Sequence, residues 1–221
     1  MQTPTFNISV EEFEEEWEDS FRQVFYLPDN VPEGERRDWP IFPDPVFKER
    51  YQQAFLDDRQ DKELRALFRD PSLFAQLQQF LKSIGEEQFA LLLIPYPDHQ
   101  GLSCYSFPVD VDWKTFRDTP ANGMRLSTVS TSFPYLMTGL TKRWGFYYLM
   151  QWNIHIVGCA DQAVLEALQD SFGIQGRNEE AAKNIVEYVE DDNDLSIHGD
   201  ELRARQARRL QELVEEISEK E

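Results

Sequence analysis

Pro97-Asp98 followed by Asp112-Trp113-Lys114 is the spacing in this chain that comes nearest to a catalytic pattern. P-D…D-x-K suits phosphodiester hydrolysis, in which two carboxylates hold Mg²⁺ and the lysine supports the attacking water. The local turn chemistry works against it. Pro97-Asp98-His99-Gln100-Gly101 reads as a hairpin turn between strands at 88–95 and 102–109. In such a hairpin Asp112 lies beside Glu87, at the far end. At about 3.4 Å per residue the two aspartates are on the order of 35 Å apart, whereas they would have to share one metal ion.

The acidic run Glu190-Asp191-Asp192-Asn193-Asp194 invites comparison with a calcium loop, which needs glycine at its sixth position and glutamate at its twelfth. Counted from Asp192 those positions are Ile197 and Arg203, so the run reads as a solvated connector. His99, His155 and His198 are the only histidines, and no two stand at metal-ligand spacing. The C-x-x-C, H-E-x-x-H, G-x-S-x-G, P-loop and G-x-G-x-x-G patterns are all absent. Cys104 and Cys159 each sit in an apolar, strand-like context, where a free thiol behaves as a small buried hydrophobe. No catalytic, metal or cofactor residue is therefore assigned. A hydrolase or metal-dependent nuclease with a dispersed site is the alternative; it would need a cleft converging on His99, Cys104, Asp110 and Asp112.

The elements that must position any site are clearer. With 221 residues and 41% hydrophobic side chains, the chain can bury the core of a single α+β domain spanning 1–221. No apolar run reaches the roughly 18 to 20 residues of a membrane span, and the N-terminus lacks the basic-then-apolar order of a signal peptide, so a cytoplasmic location is expected.

Segment 1–27 is an acidic helix: Ser9 and Glu12 form a capping box, and Val10, Phe13, Trp17, Phe21 and Val24 follow at helical spacing. Segment 28–45 carries Pro28, Pro32, Pro40, Pro43 and Pro45 around Trp39 and reads as a wrap on the body. Segment 46–85 reads as helical, with helices expected at 45–55, 62–69 and 71–84, the last stopped by Gly85.

Segment 86–173 holds strands at 88–95, 102–109, 124–131, 144–150 and 154–159, then a helix at 161–172 stopped by Gly173. The connections are too short for helical crossovers, so the expected sheet is about five-stranded and mostly antiparallel, packed with helices. Segment 174–221 adds helices, the last of them charged and spanning 200–220.

Charge narrows the function classes. Forty-one acids against 22 bases give a formal net charge of −19, which opposes nucleic acid and anionic membrane surfaces and favours a basic protein partner. Alternation sends Trp144, Phe146 and Tyr148 to one sheet face and Tyr147 to the other. If helices cover one face only, Tyr147 and Trp152 join the acids on an open surface; if both faces are covered, these rings are core. The partner-binding candidates are Glu14, Glu15, Glu18, Tyr147, Trp152, His155, Asp191 and Asp192.

The last helix places Arg203, Arg205, Arg208 and Arg209 before Glu212, Glu215, Glu216 and Glu219, against the helix dipole. Neutralisation by the chain's own 187–194 stretch satisfies these charges, and an antiparallel homodimer through this helix would satisfy them too. In general character (small, acidic, α+β, aromatic-rich) the chain resembles the immunity proteins that neutralise bacterial toxins. The resemblance rests on composition and matches no motif. It implies an immunity-like or inhibitor-like binding module that needs no cofactor and is not an enzyme.

Overall fold

A computed structural model describes residues 6–27, 46–56, 70–93, 103–121, 123–129, 134–149 and 154–173, with Glu212 and Glu215. Its centre is an antiparallel sheet of six strands: β1 (Gln52–Leu56), β2 (Gln88–Leu93), β3 (Ser103–Pro108), β6 (Tyr135–Gly139), β7 (Trp144–Leu149) and β8 (Ile154–Cys159). Their order is β1-β8-β7-β6-β2-β3. A separate two-stranded ribbon, β4 (Pro120–Ala121) and β5 (Met124–Arg125), lies outside it.

Two strand expectations are corrected. The segment expected to continue a helix to residue 55 forms edge strand β1, paired with β8 from Gln52↔Cys159 to Leu56↔His155. Gln, Gln and Ala carry little strand preference of their own; the neighbouring strand imposes the extended form. The strand expected at 124–131 stops after Arg125 and turns into the short helix α5 (Leu126–Val129). The sheet position is taken by β6, whose five residues are all buried and so show no alternation to read.

Helices cover both faces. On one lie α3 (Pro71–Ser83), α4 (Trp113–Asp118) and α6 (Gln162–Phe172). Phe74, Leu77, Phe80, Leu81, Val164 and Leu168 are buried there against Phe89, Phe107, Trp144, Phe146 and Val157 of the sheet. Asp161 accepts the Val164 N–H as N-cap of α6, and Gly173 ends it at φ +65°, a conformation that favours glycine.

On the opposite face lie α1 (Val10–Glu12), a π-helical turn (Phe13–Trp17) and α2 (Glu18–Val24). Phe13, Trp17, Phe21 and Phe25 recur every four residues, slightly longer than the α-helical period of about 3.6. The wider π turn, closed by the Glu18 N–H on the Phe13 carbonyl, absorbs that mismatch and keeps the rings on the sheet. They pack with Phe47 and Tyr51 over Ala90, Leu92, Leu136, Tyr147 and Ile156. Just before α1, the Ile8 N–H bonds the Cys104 carbonyl at 3.1 Å and the Ser106 N–H bonds the Phe6 carbonyl at 2.9 Å, continuing the sheet beyond β3.

The β6–β7 hairpin ties these layers together. Thr141 and the Trp144 Nε1–H both donate to Glu86, a buried carboxylate between α3 and β2, the indole at 2.9 Å. Lys142 pairs with Asp19 on α2, and its carbonyl accepts the Tyr51 hydroxyl at 2.5 Å. Arg143 forms a two-pronged pair with Asp161 at the start of α6, its closest contact 3.0 Å.

Candidate functional site

Among the described residues, the acidic helix is the sequence-derived candidate that stands open. Residues 10–24 hold Glu11, Glu12, Glu14, Glu15, Glu16, Glu18 and Asp19 against a single base, Arg22. The aromatic stripe fixes one side of the helix to the sheet, which leaves the carboxylates on the other. Glu14 and Glu15 are exposed, on the π turn, and Glu18 is half-buried with Arg22 at 2.7 Å. Glu12 returns a capping bond to the Ser9 N–H at 2.7 Å. Asp19 is engaged by Lys142, whose hydrogen bond, ahead of that from Gln23, holds its carboxyl below the usual range. Among the described residues no cation pairs with Glu11, Glu14, Glu15 or Glu16. The result is an anionic ridge on a rigid support, able to attract and orient a cationic surface.

Tyr147 and His155 require correction as surface contacts. Tyr147 is 2% exposed, because α1, α2 and Phe47 cover the face that would have carried it. Both faces are covered, so Trp144, Phe146 and Tyr148 are core as well. His155 is 6% exposed, on the opposite face from Ile156. Its Nε2 lies 2.8 Å from the Tyr135 hydroxyl, and burial pushes the imidazole down to about 4. Trp152, Asp191 and Asp192 lie outside the described residues, as do the expected helix at 62–69, the Pro-rich segment 28–45 and most of segment 174–221. Of the charged C-terminal helix, only Glu212 and Glu215 are described; both are helical and exposed.

The residues of the alternative, hydrolytic reading do not come together as far as they are described. Asp112 is the N-cap of α4, accepting the Thr115 N–H at 2.9 Å, and hydrogen bonds from Thr115 hold its carboxyl below the usual range. Cys104 is buried on the other side of the sheet, under the N-terminal helices, where burial pushes its thiol far up. Burial also pushes the Cys159 thiol up to about 12, so neither cysteine offers a thiolate near neutral pH. His99 and Asp98 lie outside the described residues. Among the described residues, no group of three or more His, Cys, Asp or Glu is placed to hold a metal ion, and no helix is long and apolar enough to cross a membrane.

Three relationships have no signal in the sequence pattern: Glu86 with Thr141 and Trp144, Lys142 with Asp19, and Tyr135 with His155. Each joins residues far apart in the chain, and local periodicity carries no information about such pairs. Trp17 presents a further oddity, since its buried Nε1–H has no hydrogen-bond partner among the described residues.

Set beside protein-family models, curated proteins and solved structures, the chain finds no match in any of the three.

Proposed function

We propose that this chain is a protein-binding module that holds a more basic protein on the outer face of its N-terminal helix. The observation that carries the reading is the exposure of Glu11, Glu14, Glu15 and Glu16 on a helix whose inner face is anchored by Phe13, Trp17 and Phe21. Anchoring matters because a charged surface that keeps its shape gives up little entropy on docking.

With Tyr147 and His155 buried, attraction at this surface is chiefly electrostatic. Such surfaces raise association rates, select partners by sign and weaken as salt screens them. The net charge of −19 points the same way and disfavours nucleic acid as the ligand. An immunity-like or inhibitor-like role, in which the partner is a basic toxin, nuclease or assembly protein, is the form of this reading that fits the charge. The two free, buried cysteines suit a reducing cytoplasm.

The test is a tagged pull-down from native lysate at low and moderate salt. A single basic protein recovered in stoichiometric amount, and lost as salt rises, supports the reading. No specific protein at either salt sinks it.

A further inference from the structure

The last row of the sheet crosses all six strands as Leu56, His155, Tyr148, Tyr135, Leu93 and Ser103. Its three central residues form one polar-aromatic cluster. The Tyr135 and Tyr148 rings stack with centroids 4.9 Å apart, and Tyr148 lies 4.9 Å from His155. The Tyr135 hydroxyl reaches past Tyr148 to meet His155 Nε2 at 2.8 Å, so one hydrogen bond spans β6 to β8. Phe146 closes the imidazole edge-on at 6.4 Å. All three polar members are buried, with Tyr135 at 1%, Tyr148 at 4% and His155 at 6% exposure.

We propose that Tyr135, Tyr148 and His155 form an acid-sensitive latch, which holds β6, β7 and β8 together at this end of the sheet while the imidazole is neutral and weakens when it takes a proton. In the neutral form Nε2 and the Tyr135 hydroxyl share one hydrogen bond, and one ring nitrogen is free of a proton. A proton arriving from solvent bonds to the unprotonated ring nitrogen and makes both nitrogens donors. At this contact the Tyr135 oxygen can then only accept, with its own O–H turned away from the ring. The new charge is also poorly compensated among the described residues. Among the described residues, the titratable side chains facing the imidazole are Tyr135 from β6, whose phenol burial holds protonated, and Tyr148 from β7. β1 carries no charged residue, the two acids of α6, Glu166 and Asp170, are exposed, and burial pushes the imidazole down.

The sign follows directly. The folded chain holds the neutral imidazole and the unfolded chain protonates it near 6.5, so the stabilisation is complete above about pH 6.5. It drains away as pH falls toward about 4.

The test uses the full-length chain. Imidazole resonances of His155 are followed by NMR as pH falls, and urea unfolding is measured at pH 7 and pH 5 for the wild type, His155→Gln and Tyr135→Phe. The imidazole is expected to stay neutral well below pH 6. The wild-type unfolding constant is expected to rise about 20-fold more than that of His155→Gln between the two pH values, from the shift to about 4. Tyr135→Phe is expected to raise the unfolding constant at pH 7 about tenfold by removing the buried donor. A His155 that titrates near 6.5 in the folded chain overturns the proposal, as does a His155→Gln chain with the same acid dependence or a Tyr135→Phe chain of unchanged stability. If His155→Gln does not fold, the wild-type titration decides alone.

Discussion

Lys142, at the tip of the β6–β7 hairpin, holds Asp19 of the acidic helix across 123 positions of sequence. It does so from φ 58°, a left-handed backbone that non-glycine residues rarely adopt. The N-terminal layer is thus pinned to the sheet by its packed rings, by backbone hydrogen bonds to β3 and, among the described residues, by an ion pair offered from a strained turn.

The two effects at Lys142 oppose each other, and their sizes decide the outcome. Relief of the left-handed strain is worth roughly 1–2 kcal/mol, more than an exposed, screened ion pair such as this contributes. Lys142→Ala keeps the strain and loses the pair; Lys142→Gly loses both. Chemical denaturation should find Lys142→Gly more stable than Lys142→Ala by about 1 kcal/mol.

Trp144 and Trp17 form a matched pair of buried indoles with opposite hydrogen-bond status. The Trp144 N–H meets Glu86 at 2.9 Å, whereas that of Trp17 meets no acceptor among the described residues. Replacement by Phe costs each site some packing. At Trp144 it also strips a donor from a buried carboxylate, while at Trp17 it removes an unpaired polar group. Trp144→Phe should therefore be the more destabilising by about 1–3 kcal/mol in the same urea series.

Gly158 on β8 lies flat under the Phe47 ring: a Cβ added there would stand 2.4 Å from Phe47 Cδ1. An aromatic ring wedged between Phe25 and Tyr51 has little freedom to retreat. Gly158→Ala should lower stability by about 1–3 kcal/mol through overpacking, read as a fall in Tm. At Gly85 an added Cβ would meet no described residue outside its chain neighbours within 4 Å, but φ is +80°, so an alanine there acts through backbone strain instead.

Legibility of the fold followed how local its signals are. The stretch from β7 to α6 could be read closely, because strand alternation, the Asp161 cap and Gly173 all lie within it. Helix α3 was equally plain, with Pro71 at its start and a clean apolar stripe. β1 and β6 could not be read: β1 takes its extended form from β8, and β6 is buried on both faces and shows no period. Of the candidate site, the acidic ridge was legible because charge and spacing are local. The burial of Tyr147 was not, since it depends on Phe47 and α2 lying across that face.

The account stands most directly on the carboxylates of the helix, so the decisive measurement compares the wild-type chain with a Glu11→Gln, Glu14→Gln, Glu15→Gln and Glu16→Gln variant as baits in the same pull-down. These side chains are exposed, so the variant should fold with Tm close to wild type. The account predicts that a basic protein retained stoichiometrically by the wild type at low salt is retained at least tenfold less by the variant, and that its retention by the variant depends less on salt. Equal retention by both baits would contradict the central claim.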